Sequence, residues 1–191
     1  MSKLSVVAFN GSPREKGNTS RLIWTVFAEL TGEGIGVSEI QIGNTMVRGC
    51  SACGTCRTEN LERCKFDDDP INEWGDAMSK ADGIILASPT YFANMTSEMK
   101  ALIDRVGFSR GKHLHRKVGA PIVVARRGGA IQVYNALMAF FGIAQMVVPG
   151  SSYWNMGYGL RPGDVENDPE GLETMTTLGV NMAWVLKKLR A

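Results

Sequence analysis

The chain has 191 residues, of which 44% are hydrophobic and 21% are charged, the ordinary balance of a globular protein that folds in water. This length predicts one domain, residues 1–191, with a sizeable apolar core. The net charge of +2 gives no support for nucleic acid as a partner, and no apolar run reaches the roughly 20 residues that span a membrane. Residues 1–10 lack the pattern of a signal peptide, so we expect a cytoplasmic protein.

Apolar runs and helical periodicities alternate along the whole chain. The runs that predict strands lie at 4–9, 36–42, 84–87, 121–125 and 145–148. The stretches that predict helices lie around 22–30, at 71–80, up to about 106, at 131–141 and around 175–189. A Gly- and Pro-rich stretch at 149–171 precedes the last helix, and long loops of this kind are often lids or contact surfaces. Its aromatic residues Tyr153, Trp154 and Tyr158 either cover a ligand or pack a subunit interface.

Strands that alternate with helices predict an α/β fold, with a five-stranded parallel sheet in the order 2-1-3-4-5 and helices on both faces. In such sheets, ligands bind at the carboxyl ends of the strands, near the point where the strand order reverses. We therefore expect the loops after strands 1, 3 and 4 to meet at one ligand. The second strand is more polar than the others, which favours a place near a sheet edge.

The turn after the first strand, residues 11–20, has the composition of an anion-binding loop. It contains neither the Gly-Lys-Ser/Thr triplet of a Walker loop nor the Gly-x-Gly-x-x-Gly dinucleotide fingerprint. It offers hydroxyl, amide and guanidinium groups from Ser12, Arg14, Asn18, Thr19 and Ser20. Together with the amides and dipole of a helix N-terminus, these groups suit a phosphate monoester dianion. The alternative is a plain strand-to-helix turn that is capped by Asn18 or Thr19.

All four cysteines lie in one segment, residues 48–69, which is inserted after the second strand and which we call the cysteine loop. Their pattern is Cys50-x2-Cys53-x2-Cys56-x7-Cys64, and closely spaced thiolates with a more distant fourth are typical of a [4Fe–4S] cubane. Structural zinc and free or redox-active thiols are the alternatives, because spacing alone does not select the metal. Clustered cysteines favour metal or redox chemistry in a reducing compartment over a disulfide framework.

Several of these motifs resemble one known family. Four segments resemble the flavodoxin-like NADPH-dependent FMN reductase superfamily. They are the anion-binding loop at 11–20, which we call the phosphate loop, a Ser-Pro-Thr-Tyr-Phe string at 88–92, a helical string at 99–105 and an Arg-Arg-Gly-Gly loop at 126–129. The cysteine motif at 50–57, Cys-Ser-Ala-Cys-Gly-Thr-Cys-Arg, is similar to that of the iron–sulfur flavoproteins within this superfamily. The resemblance spans nearly the whole chain and implies a flavodoxin-like three-layer sandwich that binds FMN.

The resemblance also implies roles for individual residues. The FMN phosphate would contact Ser12, Arg14, Asn18, Thr19 and Ser20. The isoalloxazine ring would contact Pro89, Thr90, Tyr91, Phe92 and Asn94, and its pyrimidine edge would contact Ala125, Arg126, Gly128 and Gly129. The cluster ligands would be Cys50, Cys53, Cys56 and Cys64. Arg126 or Arg127 either neutralises a reduced, anionic flavin or is a solvated arginine at a strand end.

The activity that the resemblance implies is that of an FMN-dependent oxidoreductase or electron-transfer flavoprotein. The flavin performs the redox chemistry, so no side chain is assigned as a catalytic acid or base. Electrons would enter from NAD(P)H or from reduced ferredoxin. The alternatives are an NAD(P)H-dependent flavin or quinone reductase without a cluster, and a flavodoxin-like electron carrier with no substrate of its own. Because a neighbouring subunit tends to complete the flavin site in this family, a homodimer or homotetramer is expected.

Overall fold

The computed structural model describes residues 3–190 of the chain. At its centre is a parallel sheet of five strands in the order β2-β1-β3-β4-β5, as the sequence predicts. The strands are β1 Ser5–Asn10, β2 Gly36–Gln41, β3 Gly83–Pro89, β4 Val118–Ala125 and β5 Met156–Tyr158. The polar strand β2 lies at one edge of the sheet, which confirms the expectation drawn from its composition.

Helices cover both faces of this sheet, because the strand side chains point alternately to either side. The α-helices are α1 Asn18–Gly32, α2 Thr55–Thr58, α3 Ile71–Lys80, α4 Ser97–Arg110, α5 Ala130–Ile143 and α6 Pro169–Arg190. On β1, Val6 and Ala8 pack against the helices α1 and α6. Val7 and Phe9 face the opposite core, which α3, α4 and α5 complete. The predicted flavodoxin-like three-layer arrangement is therefore confirmed.

The fifth strand is not the segment that the sequence predicts. Residues 145–148 contribute only one bridge, which joins Val147 to Val118 at the start of β4. The next donor in a parallel ladder would be the N–H of residue 149, but this residue is Pro149 and has no N–H. The chain leaves the edge here and returns at Met156–Tyr158, which pairs with the end of β4. Apolar residues of the predicted segment are partly buried against the core, so burial explains their pattern.

Helix bounds differ from the predictions in smaller ways. The helix α4 continues to Arg110, about one turn beyond the predicted end near Val106, and α5 extends to Ile143. A single turn of helix, α2, interrupts the cysteine loop, which the sequence predicts to be irregular. Among the helices of residues 3–190, none combines the length and the apolar character that crossing a membrane requires.

Candidate functional site

The loops that follow β1, β3 and β4 meet at one cavity, as the strand order predicts. This cavity, which we call the cradle, has a volume of about 130 Å³. Its lining consists of Ser12, Arg14, Asn18, Thr19, Pro89, Thr90, Tyr91, Val124, Arg126, Gly159 and Leu160. The predicted phosphate loop at 11–20 and the loop at 88–94, which is predicted to contact the isoalloxazine ring and which we call the ring loop, therefore open onto the same space.

Hydrogen bonds within the first loop shape the phosphate end of the cradle. The Ser12 N–H donates to Asn10 Oδ1 at 2.9 Å, and the Arg14 N–H donates to the Ser12 hydroxyl at 3.2 Å. The helix α1 then begins at Asn18, and no side chain caps its first turn, so the predicted capping by Asn18 or Thr19 is wrong. Its first N–H groups have no partner within the helix and, with the helix dipole, favour an anion.

Gly43 packs against the backbone of the phosphate loop, and the sequence pattern did not single it out. It follows β2, and its N–H donates to the Asn10 carbonyl oxygen at 3.0 Å. A Cβ at this position would overlap the Ser12 carbonyl group. Only glycine therefore allows the chain after β2 to run this close to the phosphate loop.

A fourth segment, residues 159–164, forms one wall of the cradle. The Asn18 carboxamide holds this wall twice: its Nδ2 donates to the Arg161 carbonyl oxygen at 2.9 Å, and the Gly163 N–H donates to its Oδ1 at 2.8 Å. The Asp164 carboxylate accepts the N–H of Arg161 and that of the preceding residue, and these bonds lower the pKa of Asp164. The segment lies within the Gly- and Pro-rich stretch, whose composition was the only signal of its role.

The ring loop after β3 contains a strained turn. Tyr91 and Asn94 close it with two backbone hydrogen bonds of 2.9 and 3.0 Å. Between them, Phe92 has a φ of 49° and Ala93 a φ of 59°, both in the left-handed region. This conformation costs a residue with a side chain about 1–2 kcal/mol. The Phe92 side chain is fully exposed, at 106% of its reference area, so no packing offsets the strain. Strain of this kind is typical of functional loops.

The cradle fits a phosphorylated, planar cofactor on the evidence of its own atoms. The Thr90 Oγ1 is buried, and it has no hydrogen-bond partner within residues 3–190. Gly129 has a φ of +90°, and a Cβ there would lie 3.0 Å from the Ala93 Cα and 3.2 Å from the Thr90 Cγ2. The missing side chain lets the loops after β3 and β4 approach closely. Together with the uncapped start of α1, this donor set fits FMN.

Not every predicted cofactor-binding residue lines the cradle. The residues outside its lining are Ser20, Phe92, Asn94, Ala125, Gly128 and Gly129. The buried Ser20 hydroxyl donates to the Glu39 carboxylate at 2.6 Å, so only its backbone is left for a phosphate. Phe92 and Ala125 are chain neighbours of lining residues, and Asn94 closes the turn that begins at Tyr91. Gly128 and Gly129 line a neighbouring cavity instead.

The two consecutive arginines after β4 separate. Arg126 is exposed and lines the cradle. Arg127 lines a neighbouring cavity of about 190 Å³, which Tyr153, Trp154 and Tyr158 also line. The structure therefore brings the aromatic residues of the Gly- and Pro-rich stretch next to the loop at 126–129.

All four cysteines line a separate cavity of about 170 Å³. Cys50 and Cys53 are exposed, Cys56 and Cys64 are partly buried, and none forms a disulfide. Hydrogen bonds from Thr55 lower the pKa of Cys53, whereas burial and then repulsion by the other three thiolates raise the pKa of Cys56. A bound cation or cluster would remove this repulsion, so the donor set suits a metal group.

The spacing of these thiols differs from that around a single ion. Within residues 3–190, no three Cys, His, Asp or Glu side chains are close enough to hold one metal ion together. In a cubane, each thiolate binds a different iron, so the four sulfurs lie farther apart than four ligands of one ion. Arg105 and Phe108 of α4 also line the cysteine cavity, and the sequence pattern did not single them out for it.

The fold and the cradle define the class of this protein as flavodoxin-like, and comparisons with known proteins specify the family. The profile of the NADPH-dependent FMN reductases matches residues 4–160. An iron–sulfur flavoprotein of Methanocaldococcus jannaschii is 35% identical over 195 residues, which cover 98% of this chain and 100% of that protein. An iron–sulfur flavoprotein of Methanosarcina thermophila is 31% identical over 191 residues, with coverages of 98% and 97%.

Solved structures agree on the fold. RosB, determined with bound 8-demethyl-8-formylriboflavin-5'-phosphate, has a TM-score of 0.77 at 16% identity and covers 98% of this chain and 80% of its own. A WrbA-like flavodoxin of Agrobacterium tumefaciens has a TM-score of 0.63 at 20% identity, with coverages of 98% and 99%. The chain belongs to the NADPH-dependent FMN reductase family, in its iron–sulfur flavoprotein branch. This membership supports a flavoprotein oxidoreductase.

Proposed function

We propose that this protein is an FMN-dependent electron-transfer oxidoreductase in which Cys50, Cys53, Cys56 and Cys64 bind a [4Fe–4S] cluster. The observation that carries the proposal is the presence of two separate sites in one chain: a cradle with the donors for a flavin phosphate and a cavity lined by all four cysteines. The relatives at 35% and 31% identity, both named iron–sulfur flavoproteins, support the combination.

In the proposed flavin site, the role of the protein is to bind the cofactor and to orient its ring. The N–H groups at the start of α1 and the hydroxyls of Ser12 and Thr19 would hold the phosphate. The buried Thr90 hydroxyl, which has no hydrogen-bond partner among the described residues, would bond to the ring system. Within the described residues, the lining of the cradle contains no Asp, Glu, His, Lys or Cys. When bound, a flavin supplies the redox chemistry itself.

The electron donor is NAD(P)H or reduced ferredoxin. The description of the family favours the nicotinamide, and a cluster would favour a protein carrier that delivers one electron at a time. Anaerobic oxidation of NADPH, NADH and reduced ferredoxin, each followed separately on the same preparation, distinguishes these donors. Reduction of the protein by ferredoxin without turnover of either nicotinamide would favour an electron carrier over an NAD(P)H-dependent reductase.

We propose a homodimer or homotetramer, and the positions of the two cavities support it. They share no lining residue. Arg105, which lines the cysteine cavity, comes eight residues after the start of α4 at Ser97, or about 12 Å along the helix axis. The ring loop precedes that start, so the cluster site lies away from the flavin site of its own chain and would serve the flavin of a neighbouring subunit. Light scattering during size-exclusion chromatography measures the subunit number.

The deciding experiment is purification without oxygen, followed by a visible spectrum and assays of iron and FMN on one sample. Flavin bands are expected from FMN, and a broad shoulder at about 400 nm with about four irons per chain is expected from a cubane. Flavin without iron would contradict the cluster and leave a flavin reductase with free thiols.

Two variants separate the two sites. Cys50→Ser should lose iron and keep FMN, because the cradle contains no cysteine. Thr19→Glu should lose FMN and keep iron, because a carboxylate then occupies the buried phosphate end. Loss of both cofactors in either variant would contradict the assignment of two independent sites.

A further inference from the structure

Arg105 of α4 connects the helix to both ends of the cysteine loop. Its guanidinium donates from Nη1 to the Arg48 carbonyl oxygen at 3.2 Å and to the Asp69 carboxylate, and from Nη2 to the Phe66 carbonyl oxygen at 2.9 Å. Its Nε donates to the Cys64 Sγ at 3.3 Å. The side chain is completely buried, at 0% exposure, so these contacts replace all of its hydration.

A buried guanidinium needs a negative partner, and here it has two candidates. The Asp69 carboxylate, at 5% exposure, is nearly as buried as Arg105 and pairs with it directly. The second is the Cys64 sulfur, which accepts a hydrogen bond from the single N–H of Arg105 Nε. A neutral thiol is a weak acceptor, whereas a metal-bound thiolate is a strong one. The contact therefore suits a sulfur that acts as a ligand.

The position of Cys64 in the chain explains why it needs such an anchor. It is separated from Cys56 by seven residues, the longest spacer in the motif. Asn72 fixes its backbone, because the Cys64 N–H donates to Asn72 Oδ1 at 2.9 Å and the Asn72 Nδ2 donates to the Cys64 carbonyl oxygen at 3.0 Å. Among these contacts, that of Arg105 alone reaches the sulfur.

We propose that Arg105 is a positioning residue that fixes Cys64 as the fourth ligand and places a permanent positive charge beside its sulfur. The first role needs only the polypeptide, and the second rests on the proposed cluster. Positive charge and hydrogen bonds at a ligand sulfur stabilise the reduced, more negative state of a cluster. Arg105 therefore raises the reduction potential of the group that Cys64 binds.

Two substitutions at one position separate geometry from charge. Arg105→Gln removes the charge and the fork of donors, whereas Arg105→Lys keeps the charge and loses the fork. Arg110→Gln is the matched control: Arg110 is also a buried arginine of α4, but it pairs with Asp76 and does not line the cysteine cavity. FMN retention reports whether each variant folds, since the cradle is elsewhere.

The first measurement is hydrogen exchange across the cysteine loop in iron-free protein. Both Arg105 variants lose the fork of donors that joins α4 to the two ends of the cysteine loop, so this exchange should speed up by about tenfold or more in each. The second is iron per chain after reconstitution with ferrous iron and sulfide, which should fall in both. The third is the potential of the remaining cluster, which should fall in Arg105→Gln and stay closer to that of the wild type in Arg105→Lys. The Arg110→Gln protein should match the wild type in all three.

Wild-type exchange and wild-type iron content in Arg105→Gln would overturn the positioning role. An unchanged potential with a loosened loop would overturn the role of the charge. If Arg105→Gln fails to fold, Arg105→Lys decides the positioning role by the same exchange and iron assays. If the wild type itself takes up no iron, the proposed cluster fails, and hydrogen exchange alone then decides whether Arg105 positions Cys64.

Discussion

Alanine at Gly129 is expected to destabilise the protein and to weaken FMN binding. A Cβ at this position would lie 3.0 Å from the Ala93 Cα and 3.2 Å from both the Ala93 Cβ and the Thr90 Cγ2, at a φ of +90°. The left-handed conformation costs an L residue about 1–2 kcal/mol, and overpacking adds about 1–3 kcal/mol. We expect a total loss of about 2–5 kcal/mol, divided between the free energy of unfolding and the free energy of FMN binding, because the ring loop is displaced.

Gly128 provides the matched control. It is the preceding residue, its φ lies outside the left-handed range, and a Cβ there would meet nothing within 4 Å. Gly128→Ala should therefore change the unfolding free energy by less than about 0.5 kcal/mol. Urea titration of flavin-free protein measures the first effect, and quenching of FMN fluorescence measures the second, with each 1.4 kcal/mol worth about tenfold in Kd. Equal stability and equal FMN affinity of the two variants would refute the argument.

Three further outcomes are expected. Gly43→Ala should destabilise the flavin-free protein by at least about 1–3 kcal/mol, whereas Gly49→Ala, with open space around its Cα, should be neutral in the same urea titration. Phe92→Gly should raise the unfolding free energy by about 1 kcal/mol, because it relieves left-handed strain and loses no packing; a decrease would contradict the strained turn. Asp164→Asn should weaken FMN binding at pH 7. Because the pKa of Asp164 is lowered in the folded protein, its carboxylate contributes to the free energy of unfolding above the ordinary carboxyl pKa of about 3.9, and this contribution disappears as the pH falls through the lowered value. In urea titrations at decreasing pH, the variant should therefore lose less unfolding free energy than the wild type. An equal decrease in both proteins would contradict this role of Asp164.

The order of the first four strands and of the long helices, and the position of the cradle, could be predicted from the sequence alone. Helical spacing and short apolar runs are local patterns, so they located β1 to β4 and the long helices without tertiary information. The strand order then directed the loops after β1, β3 and β4 to one edge, where the cradle lies. The spacing of the four cysteines predicted that they form one site, and in the structure all four line one cavity.

Contacts between distant residues were decided only by the tertiary structure. An apolar run can be buried with or without strand pairing, and the missing N–H of Pro149 shifted β5 beyond the predicted run. One hydrogen bond between the phosphate loop and the wall of the cradle joins Arg14 Nη1 to the Leu160 carbonyl oxygen, 146 positions away. Arg105 reaches Cys64 across 41 positions. A local pattern shows that a side chain is turned inward, but its partner is set by which segments pack together, and that requires the fold.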